Sequence, residues 1–413
     1  MRQLDSFLRV FVLVLSFTHL APSVASAAGA PPGIYTVSTL DAFRRPDDIY
    51  TGLSGDGSIV RSQVPNRIWS YPAGKGAFFE PGSPQLSQIY DASPDMETLL
   101  GSRNGYGTVV MRRDGSEQWV VGSSGPYAVL PSSVSPNGRF VAGDPYILSG
   151  IGFTPDVGRW SAGGGFEVLD RGAAYIAADT VAVTNDGTVY GHVYSRSSSA
   201  GPGDPPAAAA VRDHAVRWNP DGTLEHLVGT GESGIAWKQL QIDQISSNGT
   251  TRLGWGRREV ARSDGGVDLS RFVAVFGESG IDWTLWDERV EPIYNAPGQM
   301  GMSADGSLVF SNQQRVVVDP FPRYVDVPKI WTRDGGGVEF DVFLRSMGLD
   351  TTNWNIGAIR DVSDDGSSFL VYGSEVGGNG YQLLIVIPEP RSALVLGLGL
   401  ASLAFRRPRR PVE

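Results

Sequence analysis

The chain has 413 residues, contains no cysteine and carries a formal net charge of -10 at pH 7. Without cysteine there can be no disulfide bond, thiolate metal site or cysteine nucleophile, so the fold must be stabilised by core packing. The acidic balance argues against nucleic acid as a partner. No feature of the composition calls for a cofactor.

The first 27 residues have the order of a secretory signal peptide. Arg2 and Arg9 give a basic start, an apolar run follows, and Ala25 and Ala27 form a small-residue cleavage site of the A-x-A type. We therefore predict an N-terminal signal helix outside the fold, cleavage after Ala27 and export of the rest of the chain.

Seven copies of a turn with the pattern Ser/Thr-x-Asp/Asn-Gly follow, spaced 39 to 62 residues apart; the second copy has methionine in place of glycine. The copies begin at Ser54, Ser93, Ser135, Thr184, Ser246, Ser303 and Ser363. Asp-Gly and Asn-Gly favour tight hairpin turns because they tolerate a positive φ. Since a short apolar strand follows each copy, every unit is predicted to open with a β-hairpin.

A second hairpin follows in most units, marked by an aromatic strand and usually by a glycine turn. The tryptophans assigned to this position are Trp69, Trp160, Trp218, Trp286 and Trp331. Two hairpins per unit give four strands, so the repeats predict an all-β fold, a seven-bladed β-propeller of four-stranded blades. The last unit lacks room for a fourth strand. We predict that the strand from Ile34 to Leu40 supplies it and closes the ring, which removes an exposed sheet edge.

The hairpins with the pattern Ser-Pro-Asp/Asn-Gly, such as residues 135–138, resemble the WD40-like repeats of TolB-type periplasmic propellers. The whole unit is similar to the short repeats of exported PEP-CTERM and HAF-repeat proteins. A sialidase Asp-box places its glycine one residue later than the turns of this chain do. The spacing therefore argues against the sialidase family.

The C-terminal residues have the order of a sorting tail. Pro388-Glu389-Pro390 is a stiff, extended segment, and residues 392–405 are all apolar, glycine or serine. A basic cluster follows, formed by Arg406, Arg407, Arg409 and Arg410. A helix of this apolar length spans roughly 21 Å, less than the hydrocarbon core of about 30 Å. We therefore predict a short apolar helix that anchors the chain only transiently.

This order resembles the PEP-CTERM sorting domain, also known as the ice-binding-protein C-terminal domain, over about the last 26 residues. The resemblance implies that an exosortase-type processing enzyme recognises Pro388, Glu389 and Pro390. It also implies transient anchoring in the inner membrane and delivery to the cell envelope or extracellular surface. The predicted organisation is a signal peptide (1–27), a propeller repeat domain (28–387) and a sorting tail (388–413).

No arrangement of residues indicates catalysis or a metal site. His192, His214 and His226 show no metal-ligand spacing and are interpreted as surface side chains beside an insertion. No G-x-S-x-G nucleophile motif occurs in the propeller region. The segment Gly277–Ile281 and its duplicate Gly231–Ile235 are interpreted as turns that each precede a packing tryptophan. We therefore expect no catalytic residue, metal or cofactor.

Five tryptophans fall outside the repeat position and are candidates for exposed aromatic side chains on a ligand-binding face. They are Trp119, Trp237, Trp255, Trp283 and Trp354. The segments Ser195–Ala210, Arg257–Arg271 and Ser311–Arg323 are longer than hairpin turns require and are predicted to form loops on the propeller faces.

Two functions stay open. The first is a non-enzymatic cell-surface or extracellular-matrix protein whose propeller binds extracellular polysaccharide or another surface protein. The second is a secreted propeller hydrolase or lyase that acts on polysaccharide at the mouth of the central channel. The first is favoured because the sequence carries no catalytic motif.

Overall fold

The computed structural model describes part of the chain. The described residues are 32–36, 51–62, 67–70, 86–103, 107–121, 127–147, 156–196, 210–227, 237–246, 248–261, 267–278, 280–287, 299–318, 322–333, 335–378 and 380–387. The predicted signal peptide, with its cleavage site at Ala25 and Ala27, lies outside these residues, as does the predicted sorting tail from Pro388 onward. No helix within the described ranges is long and apolar enough to cross a membrane.

The described residues form twenty-seven β-strands and one α-helix. The strands of the first half are β1 (Gly33–Thr36), β2 (Thr51–Leu53), β3 (Ile59–Ser62), β4 (Arg67–Ser70), β5 (Leu86–Ala92), β6 (Thr98–Arg103), β7 (Gly107–Arg112), β8 (Glu117–Val121), β9 (Tyr127–Val134), β10 (Phe140–Ile147), β11 (Val157–Ser161), β12 (Gly165–Leu169), β13 (Ala177–Val183) and β14 (Val189–Arg196). The second half contains β15 (Ala210–Trp218), β16 (Leu224–His226), β17 (Trp237–Ile245), β18 (Arg252–Ala261), β19 (Val267–Gly277), β20 (Gly280–Asp287), β21 (Met300–Met302), β22 (Leu308–Val318), β23 (Pro322–Thr332), β24 (Gly336–Glu339), α1 (Phe340–Ser346), β25 (Trp354–Val362), β26 (Ser368–Glu375) and β27 (Gly380–Val386).

The strands pair into antiparallel sheets in chain order, as a propeller requires. Six of these sheets have four strands: β5 to β8, β9 to β12, β13 to β16, β17 to β20, β21 to β24, and β25 to β27 together with β1. A further sheet, β2 to β4, has three strands among the described residues. The all-β propeller with four-stranded blades is confirmed. The prediction of seven such blades was wrong, because the structure shows six four-stranded blades and the sheet β2 to β4 has three described strands.

The last sheet is completed by the first strand of the chain, as predicted. β1 pairs antiparallel with β27, and Ile34 lies opposite Ile385 while Tyr35 lies opposite Leu384. Because Leu384 and Ile385 are buried, the pairing covers an apolar strand that would otherwise form an exposed edge. Residues 37–40 of the predicted strand lie outside the described ranges.

All seven predicted turns connect the first two strands of a sheet, and one hydrogen-bond pattern explains their sequence. In the turn at Ser54, the Ser54 hydroxyl donates to Asp56 Oδ1 (2.6 Å), and Asp56 Oδ1 also accepts from the backbone N–H of Ser58 (3.0 Å). The next backbone N–H, of Ile59, donates to Ser54 Oγ (2.9 Å). The fourth position needs a positive φ, which glycine adopts readily; in the second turn Met96 adopts it with φ 55°.

One type of hydrogen bond recurs between neighbouring sheets. Its acceptor is the side chain of a polar residue two positions before the turn serine or threonine, and its donor is a backbone N–H in the first strand of the next sheet. The four pairs are Asp91 with Val134 (2.9 Å), Ser133 with Val183 (3.2 Å), Gln244 with Met302 (2.7 Å) and Asp361 with Leu53 (2.7 Å). The last of these pairs joins the final sheet to the first. Burial raises the pKa of Asp361 to about 6.

Where that position holds Gly52, Ala182 or Gly301, a side chain from the second strand makes the contact instead. Arg61 donates to the carbonyl oxygen of Tyr90 (3.3 Å), and His192 Nε2 accepts from the N–H of Ile242 (2.9 Å). Asn312 makes two bonds, accepting from the N–H of Ile359 (2.8 Å) and donating to its carbonyl oxygen (2.7 Å). Each described sheet is therefore tied to the next one in chain order.

The hydrophobic cores lie between neighbouring sheets. Trp160, Trp218 and Trp331 lie on the third strand of their sheets, as predicted, and all three are buried. The assignment of Trp286 was wrong, because this buried residue lies on β20, the fourth strand of its sheet. β19 ends at Gly277 and β20 begins at Gly280, so the connection between them falls within the segment interpreted as a turn from the sequence.

Two segments predicted to be loops are strands over most of their length. β18 extends to Ala261 and β19 begins at Val267, while β22 extends to Val318 and β23 begins at Pro322. The hairpins of these two sheets are therefore long β-ribbons rather than loops. Of the third segment, Ser195–Ala210, residues 197–209 lie outside the described ranges. The sequence reading also missed α1, whose buried residues Phe340 and Leu344 pack on the core of the last sheet.

Candidate functional site

The strand order gives the propeller two different faces. In every described sheet the Ser/Thr-x-Asp/Asn-Gly turn joins the first strand to the second, at what we term the turn face. Because the strands are antiparallel, the connection from the second strand to the third lies at the opposite end, the hairpin face. The long hairpins β18–β19 and β22–β23 therefore project from the hairpin face.

A cleft of about 310 Å³ opens on the sheet formed by β17 to β20. It is lined by Gln241, Asp243, Trp255, Gly256, Arg257 and Arg271. The residues come from the first three strands of one sheet, so the cleft belongs to a single blade. A volume of this size is at the lower end of the range of about 300–1,000 Å³ found for small-molecule sites.

Strand register explains why these side chains meet. Trp255 and Arg257 are two residues apart on β18, so they lie on the same side of the sheet. Gln241 of β17 is the cross-strand partner of Trp255, and Arg271 of β19 is the partner of Arg257. The indole, the amide and the two guanidinium groups are thus placed on one surface by the regular pairing of three strands.

Asp243 lies two residues after Gln241 on β17 and on the same side of the sheet, at a point where the strand pairing is irregular. The register of β17 against β18 shifts between Ile242 and Gln244, which leaves Asp243 as the extra residue of a β-bulge. Bulges re-aim side chains locally, and they recur near functional sites. The exposed Asp243 adds one carboxylate to the two arginines of the cleft.

Trp255 is held at the edge of the core, and it is neither fully buried nor free in solvent. Its ring meets the buried ring of Trp286 edge to face, with centroids 6.1 Å apart. This contact fixes the indole while part of it lines the cleft. A partly exposed aromatic ring in a fixed orientation is the usual platform for a flat apolar ligand surface.

The two consecutive arginines of β18 have different environments. Arg258 points to the other side of the sheet, where it forms an ion pair with Asp287 and lies 5.4 Å from the Phe272 ring centre. Arg257 lines the cleft, and no ion pair or hydrogen bond joins its side chain to another residue in the described part of the chain. The two side chains thus differ in their surroundings, since Arg258 packs against the sheet and Arg257 faces the cleft.

The structure places the five candidate tryptophans differently from one another. Trp255 lines the cleft, and Trp354 lies half-buried against the core of the last sheet. Trp283 is not on a face, because it is buried and its indole N–H donates to the carbonyl oxygen of Gly306 (3.0 Å). The side chains of Trp119 and Trp237 lie outside what the structure describes. The sequence reading missed Gln241, Asp243, Arg257 and Arg271 as site residues.

A second cluster of polar groups lies between the sheets β9–β12 and β13–β16. Asp179 accepts hydrogen bonds from His192 Nδ1 (2.8 Å) and from the Tyr194 hydroxyl (2.5 Å). Burial and the nearby charge of Asp179 raise the pKa of Asp144 to about 6. Within the described residues Asp144 Oδ1 is buried without a hydrogen-bond partner. A buried carboxyl group with a raised pKa is found both in acid–base sites and in structural pairs.

His192 belongs to this cluster and is not a surface side chain, contrary to the sequence reading. It is 1 % exposed, and both ring nitrogens are used in the contacts to Asp179 and Ile242. His214 is paired with Val193, the neighbour of His192, so the two imidazoles lie on opposite sides of the sheet. Within the described ranges, no group of three or more histidine, aspartate or glutamate residues is arranged to hold a metal ion.

These features define the class of the protein as an all-β propeller with four-stranded blades and a polar, aromatic cleft on its fifth repeat unit. No model of a known protein family and no curated protein matches the sequence. Among solved structures, oligogalacturonate lyase in complex with manganese is similar, with a TM-score of 0.52 at 13% identity over 88% of this chain and 97% of that chain. A putative TolB from Agrobacterium tumefaciens matches at 15% identity over 62% of this chain and 87% of that chain, with a TM-score of 0.35. At 13% identity the likeness to the lyase shows the propeller fold alone.

Proposed function

We propose that this protein is an exported, non-enzymatic cell-surface or extracellular-matrix protein whose propeller binds extracellular polysaccharide. The observation that carries this proposal is the cleft around Trp255. A fixed aromatic ring beside an amide, a carboxylate and two guanidinium groups offers an apolar surface and several hydrogen-bonding groups. A sugar ring can pack its apolar face on the first and direct its hydroxyl groups to the second.

The proposal includes a closed ring, in which the three-stranded sheet β2–β4 lies between the last sheet and the sheet β5–β8. Two contacts support this. Leu53 of that sheet donates to Asp361 of the last sheet, and Arg61 donates to the carbonyl oxygen of Tyr90 in the next one. A closed ring has no free sheet edge, which suits an exported protein that lacks disulfides.

Export and sorting belong to the proposal as well. Their support is the signal-like start of the chain, the motif Pro388-Glu389-Pro390 and the arginine cluster from Arg406 to Arg410. Because β27 ends at Val386, the motif follows directly on the last strand of the ring. An exosortase-type enzyme would reach the tail without unfolding the propeller, and the inner membrane would hold it only transiently.

The binding function is tested by replacing Trp255 with alanine in the full chain. We expect the affinity for the polysaccharide that the wild type retains best, from a panel of neutral and acidic polysaccharides, to fall by about tenfold, since ring contacts contribute about 0.5–1.5 kcal/mol beyond buried area. Affinity electrophoresis measures this change. Trp354→Ala is the matched control, because Trp354 is also half-buried but lies in another sheet. Equal retention of both variants, or no retained polysaccharide, would contradict the proposal.

The second candidate is a secreted hydrolase or lyase that acts on polysaccharide. The observation in its favour is the pair Asp144 and Asp179, because the raised pKa of Asp144 suits a general acid and Asp179 beside it accepts hydrogen bonds from His192 and Tyr194. The similar solved structure of an oligogalacturonate lyase supports the same class of activity. The pair lies at the interface of the third and fourth repeat units, away from the Trp255 cleft. An experiment that locates the bound ligand can therefore distinguish the two candidate sites.

A further inference from the structure

The pairing of Arg257 with Arg271 is the starting point. The two residues are direct cross-strand partners on β18 and β19, and both line the cleft. Like charges placed opposite one another in a sheet destabilise it unless an opposite charge lies nearby. Asp243 provides one carboxylate, so the lining carries two positive groups and one negative group. The cleft thus has a local positive excess on a chain whose formal net charge is -10.

Arg258, on the same strand as Arg257, is an arginine with a structural role. Its guanidinium is neutralised by Asp287 and lies against an aromatic ring. Arg257 has neither arrangement among the described residues, and it is held next to Trp255 by the strand alone. A guanidinium group presents paired N–H donors that match the two oxygens of a carboxylate.

The positive region is small. Beyond Arg257 on the same side of β18 stands Glu259, while Asp268 of β19, the partner of Val260, is exposed on the other side of the sheet. The hairpin therefore becomes acidic toward its tip. A long polyanion such as nucleic acid needs a continuous basic path along its phosphates. The cleft instead suits one isolated anionic group with an apolar surface beside it.

We infer that the cleft binds an acidic sugar residue, with its carboxylate between Arg257 and Arg271 and its ring against Trp255. This inference rests on the proposed polysaccharide-binding function and names the chemical class of the ligand. Gln241 and Asp243 stand on the opposite side of the cleft, where they face the hydroxyl groups of the sugar. The acceptor Asp243 also disfavours a second anionic group at that position, which restricts the site to one carboxylate.

The test uses the full chain, titrated calorimetrically with trigalacturonate and with its fully methyl-esterified form. Esterification removes the negative charges and leaves the rings, so we expect the ester to bind at least about tenfold more weakly. Arg257→Gln and Arg271→Gln should each reduce the affinity for trigalacturonate about tenfold to a hundredfold and leave the affinity for the ester unchanged. Arg257→Lys, which keeps the charge but not the paired donors, should lose less than Arg257→Gln.

Arg112→Gln is the control variant, because Arg112 is exposed at the turn face and far from the cleft. Thermal unfolding of each variant shows whether a loss of binding merely reflects a loss of folding. Equal binding of acid and ester, absence of binding to either, or wild-type affinity in both glutamine variants overturns the inference. If Trp255→Ala still loses retention of polysaccharide in that case, the binding function stands and only the ligand class is wrong.

Discussion

Replacing Asn312 with leucine is expected to lower the free energy of unfolding by about 2–4 kcal/mol. Asn312 is 6 % exposed, and its amide satisfies both the N–H and the carbonyl oxygen of Ile359 in the next sheet. Leucine has the same number and branching of side-chain heavy atoms but no polar atom, so two buried backbone groups would lose their partners at one interface. Urea unfolding followed by tryptophan fluorescence measures the change.

Asn355→Leu is the matched control for this experiment. Asn355 lies exposed on β25, and its single bond to Ser374 Oγ is long, at 3.4 Å. Surface substitutions of this kind usually change stability by no more than about 0.5 kcal/mol. If the two variants lost similar amounts of stability, the contacts between sheets would not have the structural weight that we assign to them.

A disulfide between residues 34 and 385 is expected to stabilise the propeller by about 3–5 kcal/mol. In the variant Ile34→Cys, Ile385→Cys the two new side chains face each other across the β1–β27 pair, at a separation that a disulfide can span. The bond would close a loop that contains nearly all of the propeller. Comparing the oxidised and reduced forms of the same variant separates the cross-link from the effect of the two substitutions.

The chain offers a clean background for this measurement because it contains no other cysteine. In the control variant Ile34→Cys, Leu384→Cys, the second cysteine is one residue away and points to the opposite side of the sheet. We expect no cross-link there. An equal yield of disulfide in both variants, or none in the first, would show that β1 does not pair with β27 in this register.

The closure of the ring was predictable because it follows from counting strands. The last unit offers three strands, the apolar strand near Ile34 is unpaired, and a propeller leaves one place for it. The Ser/Thr-x-Asp/Asn-Gly turns were equally readable, since each hydrogen bond in them is local and uses residues within five positions of one another. The architecture could therefore be predicted from the local hydrogen bonds of the turns and from the number of strands in each unit.

The long hairpins were misread for a different reason. The segment Arg257–Arg271 was judged by its length alone, which suggested a loop. Its apolar residues alternate with polar ones, as in Val267-Asp268-Leu269-Ser270, and this alternation indicates a strand. Once β18 and β19 are recognised as the second and third strands of the sheet, Trp286 is assigned to the fourth strand instead of the third. The same change brings Trp255, Arg257 and Arg271 onto one surface.

The role of His192 could not be read from the sequence, because it depends on the neighbouring sheet. Position 182 is alanine, which cannot make the usual contact to the next strand, and His192 replaces it from β14. Gly52 with Arg61 and Gly301 with Asn312 follow the same rule. This alternative contact can be recognised only in the three-dimensional structure, which shows which second-strand side chain contacts the next sheet.

The central claim is that a polysaccharide binds at the cleft around Trp255. Amide hydrogen exchange of the full chain, with and without the polysaccharide that it retains best, tests this claim most directly. The account predicts slower exchange in β18 and β19 and no change in β10, β13 and β14, where Asp144 and Asp179 lie. Protection confined to the strands that carry those two carboxylates, or no protection anywhere, would contradict it.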